Sequence, residues 1–525
     1  MSVFFRFGYS SFAYLKIRSA TINPFLNYRM HKNFSEYITA FDHVLKNVFH
    51  ERYDIDQFSK VRGIPAVALR DIMDKSPLSV AIPQDFGGRG LKVKECLGLL
   101  SAASYESLAL SLTFGINIAL FLEPIAKYAN ANVKGEIFKR FLEKRNMGGL
   151  MITEPDYGSN ALGMETYNEK VGDSYIIKGT KHWQGLTGMA DFWLIASREK
   201  NSKGNLNRDI DFFICDVTQP GQQIVVEEYF DNLGLYMIPY GKNRVDIRVP
   251  SQFKLEPETS GVKMMLDILH RSRMQFPGMA LGFIKRMLDE CIKQCTERVV
   301  GGKKLIELDM VQYQISRVQC AFTIASAMCF RSSTYSGIDK DLSDAGVQAN
   351  TMKAFVTDLM QEAAQTATQL YGSTGFKMDN VAGRGIMDSR AFQIFEGSNE
   401  MLYTQIAEII GKLMKRKNEY DVYGFLKGFS LTEKSHPHFK NTINFSFTPG
   451  LKQRKLVDLG KIFSKIIALN FVLEMEEKGF RKDLIANCVE ILKGDVSKLV
   501  DSFQNKNTVT QIDDYQENSF WYDFV

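Results

Sequence analysis

The spacing of apolar residues predicts helices over about residues 31–145. In "FSEYITAFDHVLKNVF" and "EIFKRFLEKR" the apolar residues recur three or four positions apart, as on one face of an α-helix. The stretch "AIPQDFGGRG" interrupts this pattern with a proline and three glycines, which favour a turn. We therefore expect a helical N-terminal domain that contains one loop.

The pattern changes between about residues 146 and 255. Short runs rich in β-branched and aromatic residues are separated by Gly, Asp, Asn and Pro, which is typical of strands joined by turns. These runs are "SYIIKGTKHW", "DFWLIAS", "DFFICDV", "QQIVVEEYF" and "RVDIRVP". The segment is predicted to form a small antiparallel β domain.

Long helical patterns return after about residue 256, as in "GVKMMLDILHRSRMQF" and "ANTMKAFVTDLMQEAAQTATQLYG". Helices of this length pack as a bundle. After residue 417 a stretch with Gly, Pro and aromatic residues precedes further helical runs in which acidic and basic residues balance. The predicted fold class is α+β, with a C-terminal helical bundle over 256–417 and a helical extension over 418–525.

The composition is that of a soluble globular protein of two or three domains. The chain has 525 residues, of which 45% are hydrophobic and 24% charged, and single cores rarely grow this large. A net charge of +5 does not favour nucleic acid as a partner. The sequence shows no run of about 18 apolar residues that would predict a membrane span. The seven cysteines lack CxxC pairs, so we expect neither disulfides nor a metal site. This pattern is typical of a protein in a reducing compartment.

Residues 1–30 contain four basic residues, several serines and aromatics, and no acidic residue. This composition is typical of an organelle transit peptide. An equally good alternative is that the natural start is Met30. The sequence leaves both open.

Four short motifs carry the candidate chemistry. The turn in "MITEPDYGSN", residues 151–160, offers backbone N–H groups and hydroxyls to an anionic or hydrogen-bonding cofactor. "KGTKHW" ends a predicted strand with a tryptophan, and "QLYGSTGF" is a glycine-rich loop after a helix. In "QIFEGSNE", Glu396 stands between apolar Ile394 and Phe395 and a Gly-Ser-Asn turn.

The apolar setting of Glu396 has a chemical interpretation. Exclusion of water by Ile394, Phe395 and a bound ligand disfavours the carboxylate and raises its pKa, which suits a general base. For the segment taken alone, an acid at a helix start, stabilised by the macrodipole, is the alternative.

In this order, over about residues 40–415, the motifs resemble those of the acyl-CoA dehydrogenase family. The resemblance implies a flavoprotein of fatty acid metabolism that uses FAD to oxidise an acyl thioester to the trans-2-enoyl thioester. Glu396 would remove the α-proton, and the β-hydrogen would leave as hydride to flavin N5. The N–H of Glu396 and a ribityl hydroxyl would polarise the thioester carbonyl. Some members carry the base immediately before the CoA-binding arginine, where this chain has Ser272.

The resemblance also implies the binding residues. The residues expected to bind FAD in the same subunit are Ile152, Thr153, Ser159, Trp183, Gln184, Ser398 and Glu400. The residues expected to reach the FAD of a neighbouring subunit, in a homodimer or homotetramer, are Arg298, Gln369, Gly372 and Gly375. The residues expected to bind the thioester are Ser159, Arg273 and Gly397, with Arg273 at the CoA portion.

Four positions depart from the family pattern. They are Gly185 in place of a threonine, with Gln184 as its substitute; Gly301 in place of a phenylalanine; Met387 in place of an arginine, with Arg384 and Arg390 close in sequence; and His270 in place of an acid. The first three concern the FAD site. The last leaves an acyl carrier protein as an alternative carrier of the thioester.

The resemblance implies an electron-transfer flavoprotein as the electron acceptor, with an oxygen-using oxidase as the alternative. A third possibility is a flavin-binding relative whose extension, residues 418–525, binds a partner, a membrane or a nucleic acid. The balanced charge of the extension disfavours nucleic acid. The implied location is the cytoplasm for a bacterial protein and the mitochondrial matrix for a eukaryotic one.

Overall fold

A computed structural model describes residues 33–58, 60–61, 63–505 and 509–525. The transit peptide or alternative start predicted for residues 1–30 lies outside the described residues. The N-terminal helices are α1 (Phe34–Lys46), α2 (Ile55–Phe58), α3 (Ala66–Met73), α4 (Val93–Glu106), α5 (Leu108–Asn117), α6 (Glu123–Tyr128) and α7 (Ala131–Lys144). Helix α1 begins where Asn33 Oδ1 accepts the N–H of Glu36, at 3.0 Å.

Helices α5 and α6 run on through a π-helical turn at Ile118–Leu122. The stretch Leu108–Tyr128 is long and apolar enough to cross a membrane, but 94% of its most apolar window is buried inside the protein. A helix that is apolar all round is expected at the centre of a large core as well as in a bilayer.

The sheet contains β1 (Gly148–Met151), β2 (Tyr167–Val171), β3 (Ser174–Gly185), β4 (Phe192–Glu199), β5 (Asp211–Asp216), β6 (Val225–Tyr229) and β7 (Tyr240–Pro250). Strands β2, β3, β7 and β6 pair in that order, and β5 pairs with β4, all antiparallel. The sheet is therefore mostly antiparallel, as predicted. Strands β1 and β2, however, pair in parallel with β4, which the sequence pattern did not indicate.

The C-terminal bundle contains α8 (Gly261–Arg273), α9 (Phe276–Glu297), α10 (Asp309–Tyr335), α11 (Gly346–Tyr371), α12 (Val381–Arg390) and α13 (Asn399–Lys417). A short hairpin of β8 (Val299–Val300) and β9 (Lys303–Lys304) joins α9 to α10. The α+β fold class is confirmed, with helical, β and helical regions in the predicted order.

The extension contains α14 (Val422–Lys427), α15 (Gln453–Glu476) and α16 (Lys482–Gln504). Residues 466–472 of α15 are buried on every side, because this helix lies against α10, α11, α13 and α16. Asp495 of α16 pairs with Arg317 of α10 at 3.1 Å and with Lys465 of α15 at 3.0 Å. The extension is therefore packed into the bundle through a continuous core.

Candidate functional site

The turn that carries Glu396 has an unusual backbone. Glu396 adopts a left-handed conformation with φ of +53°, and Gly397 follows with φ of +93°. The turn lies between the short 3-10 segment Ala391–Gln393 and α13. The Ser398 hydroxyl caps α13 by accepting the N–H of Met401 at 3.4 Å. Left-handed backbone at a non-glycine residue costs free energy and is concentrated at functional sites.

The Glu396 carboxyl is buried and only half satisfied. Its Oε1 accepts a hydrogen bond from the Ser272 hydroxyl at 2.8 Å, whereas its Oε2 is shielded from solvent and has no partner among the described residues. Burial raises the pKa of this carboxyl, and Arg273, Ser272 and Lys353 lower it in part. A buried carboxylate with one unpartnered oxygen is suited to accept a proton.

Arg273 at the end of α8 holds the same turn. Its Nη2 and Nε donate to the carbonyl of Glu396 at 2.8 and 3.2 Å, and its Nη1 donates to Asn350 Oδ1 at 2.8 Å. The guanidinium is buried and occupied by these contacts. A contact between Arg273 and CoA stays a prediction, while its contact with the Glu396 turn is a feature that the sequence did not indicate.

The two residues before Glu396 differ in their surroundings. Phe395 packs on Phe392 and Phe276, with ring centres 4.9 and 6.0 Å apart. Ile394 is 57% exposed. Within one chain, the Phe395 ring therefore packs against the core, whereas Ile394 is largely exposed.

Trp183 lies at a β-bulge. The pairing of β3 with β7 shifts register between His182 and Gln184, and Trp183 has φ of +63°. Its indole is 50% exposed and rests on the Phe230 ring, with centres 4.5 Å apart. A bulge re-aims a side chain out of the ladder, and here it leaves the indole of Trp183 half exposed.

Ile116 and Tyr240 together limit the space at Gly185. A Cβ built on Gly185 would lie 2.9 Å from Ile116 Cδ1 and 3.3 Å from Tyr240 Cε1. The tyrosine ring lies beside Trp183, with centres 6.2 Å apart. Burial, with the nearby Glu396 charge as a second cause, raises the pKa of the Tyr240 phenol. Ile116 and Tyr240 thus occupy the space that a threonine at 185 would need, and the Tyr240 phenol lies within electrostatic reach of the candidate base.

The segment that contains Ile152 and Thr153 is tied to β3. Lys181 Nζ donates to the Ile152 carbonyl at 2.9 Å, and Gln184 Nε2 donates to the Thr153 carbonyl at 3.1 Å. The Gln184 amide is buried and hydrogen-bonded. This arrangement favours a role of Gln184 in holding the segment, rather than the direct cofactor contact that was predicted for Gln184. The Thr153 hydroxyl and the exposed Ser159 form no hydrogen bond within the described residues, so both are available to a ligand.

The residues predicted to reach a neighbouring subunit lie at one end of the bundle. Arg298, Gln369 and Gly372 are exposed, whereas Gly375 is buried. The departure at Gly301 has a local cause. Gly301 and Gly302 form the two-residue turn of the β8–β9 hairpin with φ of +60° and +80°, and a turn with both values positive favours glycine.

His270 and Arg384 are both engaged in local contacts. His270 is buried, and its Nδ1 lies 2.7 Å from the Leu342 carbonyl. Burial lowers the pKa of this histidine to about 4, so it is neutral at physiological pH. The Arg384 guanidinium pairs with Asp56 at 2.6 Å. Neither side chain is arranged as a free cation for a ligand phosphate.

These residues fit a flavin. The exposed indole of Trp183, the unbonded Thr153 hydroxyl and the unpartnered Glu396 Oε2 offer an aromatic face, a polar contact and a base to a planar cofactor and its substrate. Ser398 and Glu400 begin α13 beside the same turn, with Glu400 exposed. The roles of these residues toward FAD stay predictions.

Comparisons with known proteins identify the same family. The acyl-CoA dehydrogenase middle-domain model matches residues 149–246, and the C-terminal-domain model matches residues 259–411. The mitochondrial short-chain specific acyl-CoA dehydrogenase of Mus musculus is 24% identical over 67% of this chain and 84% of its own length. An acyl-CoA dehydrogenase of Bacillus subtilis is 23% identical over 68% of this chain and 96% of its own.

Solved structures show the same fold. Butyryl-CoA dehydrogenase from Megasphaera elsdenii aligns with a TM-score of 0.63 and 20% identity, covering 73% of this chain and 99% of that one. The prolyl acyl carrier protein oxidase AnaB aligns with a TM-score of 0.65 and 18% identity, covering 72% and 99%. Related structures include a dehydrogenase described as FAD-dependent and one in complex with FADH2. The chain belongs to the acyl-CoA dehydrogenase family of FAD-binding oxidoreductases.

Proposed function

We propose that the protein dehydrogenates an acyl thioester between its α and β carbons, with Glu396 as the base that removes the α-proton. The observation that carries the proposal is the buried Glu396 carboxyl, whose Oε1 is bonded to Ser272 and whose Oε2 has no partner in the described chain. Desolvation raises the pKa of the carboxyl toward that of a useful general base. The product is the trans-2-enoyl thioester.

The backbone of the turn supplies a second group. The N–H of Glu396 donates to no acceptor among the described residues. A thioester carbonyl placed there would gain a fixed donor as negative charge develops on its oxygen. Arg273 holds the next peptide plane through the Glu396 carbonyl, which keeps the carboxyl and the N–H in a constant relation.

FAD, when bound, would supply the hydride acceptor. Trp183 would lie against its ring, with Ile152 and Thr153 as polar and backbone contacts, and Ser398 and Glu400 near the turn. Arg298, Gln369, Gly372 and Gly375 would complete the FAD site of a second copy, in a homodimer or homotetramer. The proposed electron acceptor is an electron-transfer flavoprotein, in the cytoplasm of a bacterium or the matrix of a mitochondrion.

A thioester on an acyl carrier protein is the second candidate substrate. Arg273 is occupied by the Glu396 carbonyl and Asn350, and His270 is buried and neutral. Neither therefore favours CoA over a phosphopantetheine arm on a carrier. The same chemistry at Glu396 serves both substrates.

The test is anaerobic reduction of the protein-bound flavin by a panel of straight and branched acyl-CoAs and by acyl-carrier thioesters. We expect bleaching by at least one thioester and none in Glu396→Gln, with the FAD content unchanged. Full-rate reduction in Glu396→Gln would overturn the assignment of the base. Oxygen-dependent turnover without an added acceptor would favour the oxidase.

A further inference from the structure

Lys353 is a fully buried lysine beneath the catalytic turn. It lies in α11, and its side chain has 0% exposure. Its ammonium donates to the Gly397 carbonyl at 2.8 Å and to Asn399 Oδ1 at 2.9 Å. Within the described residues it forms no ion pair. Both partners lie within the three residues that follow Glu396.

Such a placement is costly. A buried ammonium loses its hydration, and neutral carbonyl and amide oxygens replace it only in part. Burial accordingly lowers the pKa of Lys353 to about 7, with the Glu396 charge as the main opposing effect. A leucine or methionine of similar length would fill the same space without this penalty, so packing alone does not explain the residue.

The turn is held by two cations from different helices. Arg273 of α8 donates to the carbonyl of Glu396, and Lys353 of α11 donates to the carbonyl of Gly397. Both successive peptide planes after the left-handed Glu396 are thus fixed. Backbone in this conformation persists only where surrounding contacts determine it.

The four charged groups that act on Lys353 lie on four different elements. Glu396 on the turn, Asp358 on α11 and Glu400 on α13 favour its charged form, while Arg273 on α8 opposes it. Asn399 links Lys353 to Asp358, because its Oδ1 accepts from Lys353 and its Nδ2 donates to Asp358 Oδ1 at 2.7 Å. Glu396 acts on Lys353 through its charge, without a hydrogen bond between the two side chains.

We propose that Lys353 is a positioning residue for the acid–base step: it fixes the Gly397 peptide that orients Glu396 and supplies a buried positive charge that favours the Glu396 carboxylate. The inference rests on the proposed function of Glu396. Without the Lys353 charge, less would oppose the rise that burial causes in the pKa of Glu396. Glu396 would then hold its proton to higher pH and act as a base in a smaller fraction of molecules.

The experiment compares Lys353→Met, Lys353→Gln and Lys353→Arg in the full-length, FAD-loaded protein. Met removes charge and donor, Gln retains a donor without charge, and Arg retains both. Thr351→Val is the matched control, because Thr351 is buried in the same helix with an unpartnered hydroxyl. The readout is the rate of anaerobic flavin reduction by a thioester that reduces the wild type, measured across pH at saturating and limiting substrate.

We expect Lys353→Met and Lys353→Gln to slow the saturated rate by about tenfold or more, a loss of the size expected for a misplaced base. The acidic limb of the pH profile should move to higher pH in both, with little change in KM. Lys353→Arg should retain the wild-type limb, and Thr351→Val should match wild type throughout. An unmoved limb in both uncharged variants would overturn the proposal. If Lys353→Met does not fold, the Gln and Arg variants decide the outcome.

Failure of the proposed function gives a different result. In that case no thioester reduces the wild-type flavin. Protonation of Glu396 is then followed by its infrared carboxyl band, identified by its absence in Glu396→Gln. A band that titrates at the same pH in wild type and Lys353→Gln contradicts the Lys353 inference, whereas one that moves to higher pH supports it without catalysis.

Discussion

Ser272 donates a hydrogen bond of 2.8 Å to Oε1 of Glu396, which lies 124 positions further along the chain. Ser272 is buried near the end of α8, next to Arg273. In this position it selects one carboxyl oxygen of Glu396 and leaves the other without a protein partner. The serine thus distinguishes the two carboxyl oxygens of Glu396.

Ser272→Ala should impair the base without removing it. The hydrogen bond lowers the pKa of Glu396, so its loss should move the acidic limb of flavin reduction to higher pH. A hydrogen bond to a charged group contributes about 1.5–3 kcal/mol. At pH values below the acidic limb, its loss should lower the rate of flavin reduction by about tenfold or more. Ser464→Ala, in a buried serine with an unpartnered hydroxyl, is the control. An unchanged pH profile in Ser272→Ala would contradict this role.

Glu396→Gln should stabilise the folded protein at neutral pH. Burial raises the pKa of Glu396 above its unfolded value, so over that interval the folded state binds more protons than the unfolded state. Raising the pH therefore lowers the free energy of unfolding of the wild type, while glutamine has no such dependence. We expect a gain of about 1 kcal/mol, measured by denaturant unfolding. The gain should vanish below the ordinary glutamate pKa of about 4.3; a gain that persists there would point to packing instead.

Gly185→Thr should disturb the packing around Tyr240 and Trp183, although threonine is the residue expected there from the resemblance to the family. The added Cβ would lie 2.9 Å from Ile116 and 3.3 Å from Tyr240, and overpacking of this kind costs about 1–3 kcal/mol. We expect lower stability and weaker FAD retention. Tyr240→Thr in the same chain should recover part of both losses, and the double-mutant cycle measures that coupling. Additive effects would show that Tyr240 does not occupy the contested space.

Two glycines in the extension should respond in opposite ways to alanine. A Cβ on Gly460 in α15 would lie 2.1 Å from the Tyr403 carbonyl oxygen, whereas a Cβ on Gly494 in α16 would meet nothing within 4 Å. Gly460→Ala should destabilise the protein by several kcal/mol by separating α13 from α15. Gly494→Ala should stabilise it by up to about 1 kcal/mol through helix propensity. Thermal unfolding of both variants, with FAD content, measures the difference.

Truncation after Lys417 tests whether the extension is separable. The buried stretch of α15 covers apolar faces of α10, α11 and α13, so its removal would expose them to water. We expect an insoluble or FAD-free protein. A soluble, FAD-loaded truncation would instead favour the alternative in which residues 418–525 bind a partner, a membrane or a nucleic acid.

The local elements and the family were accessible from the sequence. Helical and strand periodicities persist because one face of each element must be buried, and they predicted the order of helical, β and helical regions. Four motifs in register indicated the family and Glu396. The short strand β1 gave too few positions for a periodic signal, and its parallel pairing with β4 depends on contacts distant in sequence.

Only the tertiary structure decided how the site is supported. Ser272 and Lys353 reach the Glu396 turn from helices far away in the chain, and no spacing in a single sequence encodes such a meeting. Tyr240 fills the space beside Gly185 because β3 and β7 pair at that point. The sequence determined which segments form helices, strands and motifs, since these depend on near neighbours. The protonation and orientation of Glu396 depend on burial and on charges from other elements, which exist only once the chain has packed.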